Sequence, residues 1–309
     1  MWFKSLKIYR FLRPFRMTPE QLAEGLEVQR FSACGRLEMS SYGFVPPGGG
    51  EDAPLVHATN GFMLMAGCHE EKLLPSSVVR EAAVERIEAM ERERGLSVPK
   101  RERERLMDEV RFDLLPRAFT RSQRTFGYID PIDGYLLVDA ATDVKADAFT
   151  GALQDALGAL PISLPVTMER PIAVMTRWLN DGATPTDLEV EQECELRLPG
   201  EGGATVRCRN QDLASREILT HLEAGKEVIK LALIYGERLR FMLDEHLNVR
   251  RLRFLEIIKE EAAEVDAHDH AGRLDMDFAV TSMELRMFLR RLMELFGGED
   301  RRAMGVEES

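Results

Sequence analysis

Three constellations in this sequence carry residue types that do chemistry. His268-Asp269-His270 offers two imidazoles and a carboxylate, ligand types suited to zinc or iron. Neighbours one or two positions apart rarely converge on one ion, and no third strong ligand cluster stands nearby, so no metal is expected there. Asp130, Asp133 and Asp139 resemble the grouped carboxylates with which a metal-dependent nuclease holds its ions. Asp130 and Asp133, however, fall in Asp-Pro-Ile-Asp-Gly, a turn sequence in which aspartates bond to nearby backbone. Gly48-Gly49-Gly50 lacks the lysine and hydroxyl residue of a phosphate-binding loop, and no Gly-x-Ser-x-Gly elbow organises the serines and histidines. The expectation is a protein with no catalytic residue, no metal and no cofactor.

The basic residues are more informative. Arg92 to Arg124 holds ten Lys or Arg against six acids, a local balance of +4 within a chain whose formal net charge is -12. The excess is sharpest in Pro116-Arg117-Ala-Phe119-Thr-Arg121-Ser-Gln-Arg124, three arginines and an aromatic with no acid between them. Such a mixture suits a surface laid against phosphates, with Phe119 free to wedge or pack. For Arg101 to Arg105 a solvated helix face laced with ion pairs explains the charge at least as well. A second acid-free patch, Arg207-Cys-Arg209-Asn210-Gln211, supplies donors for phosphate oxygens at the end of a strand. Arg250-Arg251-Leu-Arg253 reads as protection of a strand edge.

The acidic total argues against nucleic acid as a partner, yet binding depends on where cations gather and not on their sum. Four scattered cysteines, Cys34, Cys68, Cys194 and Cys208, form no Cys-x-x-Cys pair and suit reduced thiols. Lys4, Lys7 and Arg10 interrupt the apolar start before a signal-peptide core could form, and no apolar run approaches the ~20 residues of a membrane span. A cytoplasmic protein without a membrane partner is expected.

Elements that would position these residues can be read from pattern. Trp2 to Phe11 reads as a strand, and Thr18-Pro-Glu-Gln21 as a capping box opening a helix to about Gln29. Strands are expected at Tyr42 to Val45, Leu55 to His57 and Phe62 to Ala66, the last entered by an Asn60-Gly61 hairpin turn. Ser76 to Arg94 and Pro99 to Leu115 form a charged helical hairpin about Gly95. Strands at Thr125 to Ile129 and Tyr135 to Asp139 precede a helix from Ala146 to Leu157, and Pro161 and Pro165 mark a boundary. The second half echoes the first: strand-like Ala204 to Cys208 leads into a helix as Phe62 to Ala66 does. Asp277 to Ser282 with its helix to Phe296 likewise echoes Leu137 to Thr142 with its own. The class is α+β, antiparallel sheets packed with helices in two halves that echo each other as an old duplication would leave them, plus the hairpin.

These residues also carry a resemblance. Met1-Trp-Phe-Lys-Ser-Leu-Lys-Ile-Tyr-Arg10, Gly43-Phe-Val-Pro-Pro47, Glu70-Glu-Lys-Leu-Leu-Pro-Ser76, Leu114-Leu-Pro-Arg-Ala-Phe-Thr-Arg121, Gln211-Asp-Leu213 and His221-Leu-Glu-Ala-Gly-Lys226 resemble, in order and over nearly the whole chain, the RdgC family of recombination-associated proteins. The resemblance implies a crescent subunit whose homodimer closes a ring around duplex DNA, cations inside and acids outside. It divides the chain into a central α+β domain at residues 1–74 and 125–165, a helical-hairpin tip at 75–124, a base domain at 166–298 and a flexible tail at 299–309. It implies sequence-nonspecific binding of double-stranded DNA in the nucleoid, with single-stranded DNA as a further partner, and inhibition of RecA through competition on DNA. DNA contacts then fall on Arg117, Arg121, Arg124, Arg207, Arg209, Asn210 and Gln211, with Phe119 at the dimer tip or gate. Asn210 stands where relatives often carry lysine, so that contact is a neutral hydrogen bond. Two readings compete with this one: a charged scaffold acting through protein contacts, and a metal-dependent nuclease.

Overall fold

The computed structural model describes residues 2–50, 52–263 and 270–306. Along the chain run β1 (Lys7–Phe11), α1 (Pro19–Leu26), β2 (Ser40–Val45), β3 (Val56–Thr59), β4 (Phe62–Leu73), α2 (Ser76–Arg94), α3 (Lys100–Leu114), β5 (Phe119–Asp130), β6 (Tyr135–Val138), α4 (Asp143–Leu157), β7 (Ile162–Ser163), α5 (Pro171–Asp181), β8 (Leu188–Arg197), β9 (Thr205–Arg209), α6 (Arg216–Glu223), β10 (Glu227–Tyr235), β11 (Leu239–Asp244), β12 (Val249–Phe254), α7 (Glu256–Ala263), α8 (His270–Leu295) and α9 (Arg301–Met304). The class is α+β with two antiparallel sheets. Contacts divide the chain into one compact unit of residues 1–28, 46–66 and 125–309 and a second of 29–45 and 67–124, a division that cuts β4 and β5.

In the larger unit, five strands pair in the order β12-β11-β10-β8-β9. Their inner face contributes Leu196, Val228, Leu231, Leu233, Leu243 and Val249, each 1% exposed or less, to one apolar core. Helix α8 lies in that core and joins it to the other strands of the unit. Phe278 meets the rings of Tyr128 and Phe62 at 5.6 and 6.3 Å, and Phe288 meets Phe241 at 4.9 Å. Arg286 crosses the Phe62 ring at 3.9 Å and grips buried Asp130 with two 2.7 Å bonds. The same unit pairs β1 with β6 and β7, and β5 with β6. Lys4 to Leu6 run beside β12, with Leu6 and Val249 exchanging bonds and Lys4 accepting from Leu252. The edge occupied by Arg250 to Arg253 is therefore covered by main chain as well as charge.

The smaller unit carries the helical hairpin, where Val79, Ala83 and Val110 form a small core with Leu74, Ala82, Met107 and Leu114 packed against it. Gly95 ends α2 at φ 67, a left-handed turn that a side chain would strain. The capping box at Thr18 forms with both bonds present, and Asn60-Gly61 turns with both φ values positive, at 49 and 79.

Element readings change in several places. The opening strand begins at Lys7 and not at Trp2. Strands β4 and β5 extend well past Phe62 to Ala66 and Thr125 to Ile129, so Arg121 and Arg124 stand on a strand. Asp277 to Ser282 lies inside α8 and does not repeat the strand-then-helix order of Leu137 to Thr142. Phe278, Leu285, Phe288, Leu289 and Leu292 recur at helical spacing on the buried side, which overrides the local β propensity of Val280 and Thr281.

Candidate nucleic-acid interface

The outer face of the five-stranded sheet assembles a cationic groove of about 420 Å³. Five cations, Arg207, Arg209, Lys230, Arg250 and Arg251, line it against two carboxylates, Glu193 and Glu195. Strand register places them. Glu195 on β8 stands opposite both Arg207 on β9 and Lys230 on β10, and Glu193 stands opposite Arg209. Glu195 accepts from Arg207 at 3.1 Å and Lys230 at 2.9 Å, while Glu193 takes Arg209 at 3.2 Å and Arg251 at 2.9 Å. Each carboxylate thus serves two cations, Arg250 pairs with buried Asp244 at 3.3 Å, and the groove keeps a smaller positive surplus within an acidic chain. The guanidinium of Arg251 and burial act in opposite senses on Glu193; the guanidinium dominates and holds its pKa below the usual carboxylate value. Arg207 and Arg209 remain 69% and 72% exposed, so their pairs are of the solvated kind worth about 0–1 kcal/mol and can be exchanged for other anions. Burial first, then neighbouring Cys208, pushes the Cys194 thiol up to about 12, so the groove floor carries no thiolate nucleophile.

Of the residues singled out from sequence, Arg207 and Arg209 enter this groove. Asn210, in the left-handed region at φ 51, lines a neighbouring groove with Glu189, Glu191, Glu193 and Arg240. Gln211 turns toward α6 and donates to Ser215 at 3.3 Å and Glu217 at 3.0 Å. Lys230, Arg250 and Arg251 were not expected. Lys230 lies at an ordinary strand position with nothing local to distinguish it, and the sequence pattern marks Arg250 and Arg251 only as edge protection.

Arg117, Phe119, Arg121 and Arg124 belong to the smaller unit. Arg117 ends a 3-10 turn, Leu115–Arg117, and Phe119 opens β5 with 83% of its surface exposed. Strand alternation puts Phe119 and Arg121 on one face and Arg124 on the other. Arg121 pairs with Glu71 at 2.5 Å; among the described residues no carboxylate pairs with Arg117 or Arg124. Beside Arg124's face, Ser122 donates to Glu70, whose pKa is held low chiefly by the backbone N–H of Cys34.

The aspartates are engaged structurally. Asp130 accepts from the backbone of Ile132 and Asp133 as well as from Arg286, and Asp133 takes Arg290 through bonds of 2.6 and 2.7 Å. Asp139 accepts from the backbone of Lys4 and Ser5. His268 and Asp269 lie outside the described residues. Among the described residues no three His, Cys, Asp or Glu side chains gather in a metal-holding group, and no helix is long and apolar enough to cross a membrane.

Comparison with known proteins gives matches along nearly the full chain. A family profile described as "Putative exonuclease, RdgC" matches residues 1–299. "Recombination-associated protein RdgC" of Halorhodospira halophila is 46% identical over 299 residues, 97% of this chain and 99% of that protein. The proteins of the same description from Aeromonas hydrophila and Pseudomonas fluorescens are 43% and 40% identical, each over 301 residues, 97% of this chain and 99% and 98% of theirs.

Proposed function

The chain belongs to the RdgC family, and on that premise we propose that it is a recombination-associated protein that binds DNA without sequence preference and does no chemistry on it. The observation that carries this reading is the groove, where five cations face two carboxylates in a chain of net charge -12. Exposed arginines on a sheet face bind phosphate by releasing the counterions condensed on DNA, whatever the bases. As the family resemblance implies, two copies pair and close a ring around duplex DNA, with Phe119 at the meeting tips and Arg117, Arg121 and Arg124 facing phosphate. Bound protein then obstructs RecA on the same DNA, within the nucleoid.

The description of the matching family favours a second reading, an exonuclease. Its ions would need carboxylates such as Asp130 and Asp133, which here hold Arg286 and Arg290.

Fluorescence anisotropy with a labelled random-sequence duplex across a salt series tests the first reading. Wild type binds tightly, with affinity falling steeply as salt rises, and Arg207→Ala/Arg209→Ala weakens binding and flattens that slope by about two. No binding at low salt would sink the reading and favour a protein scaffold. Shortening of the duplex with magnesium or manganese, lost in Asp130→Asn, would favour the nuclease.

A further inference from the structure

Beside the cationic groove, a second cavity of about 450 Å³ is lined by Trp2, Phe3, Lys4, Arg251, Leu252, Arg253 and Phe254. Its interior is aromatic and aliphatic and its rim cationic. The half-buried indole of Trp2 meets the Phe254 ring at 4.9 Å and 49°, a tilted contact that leaves the indole surface partly open. Lys4, Arg251 and Arg253 are exposed. Among the described residues no carboxylate pairs with Arg253.

Arg251 lines both this cavity and the groove. It does so through a fault in the sheet. Register passes from Arg240↔Arg253 to Met242↔Arg250, so Phe241 faces two residues of β12, and Arg251 there takes a left-handed backbone at φ 51. A bulge of this kind re-aims a side chain, and a left-handed arginine persists only where its surroundings hold it. The strained residue is the one shared by a phosphate-binding groove and an aromatic cavity.

The geometry points to a binding site for an unstacked nucleobase of single-stranded DNA in the Trp2–Phe254 cavity, with Arg251 holding the adjoining phosphate. The inference rests on the DNA-binding reading of the groove. A paired base inside a duplex cannot offer its face to a side chain, whereas every unstacked base can, so this site takes single strands, frayed ends or gaps without regard to sequence. Aromatic faces supply the stacking, and the rim cations of Lys4, Arg251 and Arg253 supply charge complementary to the strand. Among proteins that bind single strands this combination of platform and cations is general.

The chain offers its own reporter. It has two tryptophans, and Trp178 is 4% exposed in the core. Titrating the full chain with oligothymidylate should give a saturable quench of tryptophan emission that disappears in Trp2→Phe, which keeps a ring in place and still binds by anisotropy. Trp2→Ala should lose about tenfold in affinity for oligothymidylate while binding a blunt duplex as wild type does. Arg253→Ala, on the exposed rim, gives the same selectivity with a smaller loss and does not disturb the core. Oligothymidylate binding without a quench, or an equal loss on duplex and single strand in both variants, would overturn the cavity's assignment and leave the groove's intact. Failure of wild type to bind either DNA would overturn both.

Discussion

The helical hairpin and the sheet groove are both rich in arginine, and they use it in different ways. On the hairpin the arginines that pair do so one to one: Arg86 with Asp113, Arg94 with Glu102, Arg103 with Glu91, and Arg111 with Asp108. These pairs lie at helical spacing or across the two helices, one acid to one base, on exposed faces where each contributes little. In the groove, two carboxylates are shared among cations from three strands, and the remainder is positive. Density of charge along the chain marked the hairpin, while the surplus in space belongs to the sheet. Binding phosphate needs the surplus.

The comparison breaks most directly by deleting charge from each region in turn. Arg207→Ala/Arg209→Ala/Arg250→Ala/Arg251→Ala should lower duplex affinity ~10²- to 10³-fold at moderate salt and cut the slope of log affinity against log salt by three to four, about 0.9 per lost contact. Arg101→Ala/Arg105→Ala on the hairpin should change the affinity about twofold or less, since long-range field alone is lost. Anisotropy titrations of both variants decide it, and equal losses would end the distinction.

Stability separates the regions next. Leu231, fully buried between Cys194 and Leu243 in the large core, should cost about 2–5 kcal/mol when changed to Ala and lower the global unfolding midpoint in urea. Val110→Ala removes two methyl groups from the small core it forms with Val79 and Ala83, a loss of about 1–2 kcal/mol. Hydrogen exchange should show its effect confined to α2 and α3, which open below the global unfolding energy. Faster exchange in β10 as well would show the hairpin and the large core to be one cooperative unit.

What the sequence disclosed follows the same division between local and assembled structure. Thr18 with Gln21, Asn60 with Gly61, and the spacing of α2 and α3 about Gly95 are short-range signals, and each element stands where its residues predict. The far end of β4 was invisible because its buried side carries the charged residues Glu70 and Lys72, and the near end of β5 because Arg121 to Arg124 show no buried side from which alternation could be read. Two of the groove's five cations, Arg207 and Arg209, were legible. Lys230, Arg250 and Arg251 joined it only through the order β12-β11-β10-β8-β9 and the bulge at Arg251, neither of which any local pattern encodes.

If the two glutamates limit the groove's surplus, removing their charge should strengthen it. Glu193→Gln/Glu195→Gln should bind duplex roughly tenfold more tightly at low salt and show a steeper salt slope, because four cations lose their internal counter-charges. Glu91→Gln on the hairpin frees one arginine outside the groove and should leave affinity unchanged. Unchanged binding in the double variant would mean that the carboxylates do not compete with phosphate.

Acid should imitate the first of these substitutions in part. Glu193's carboxyl is held below its ordinary value, chiefly by Arg251, so its pairs contribute stability above the unfolded carboxylate pKa and lose it as pH falls through the lower folded one. Between pH 6 and 8 the carboxylate stays ionised and contributes no pH dependence to binding. Below the ordinary carboxylate range protonation frees Arg209 and Arg251, and DNA affinity should rise a few-fold before global acid unfolding. Glu193→Gln has no proton to take up, so its affinity should already be higher at neutral pH and should rise less on acidification. Anisotropy on both proteins, with circular dichroism confirming the fold at each pH, reads the difference; parallel curves would place the acid response on some other group.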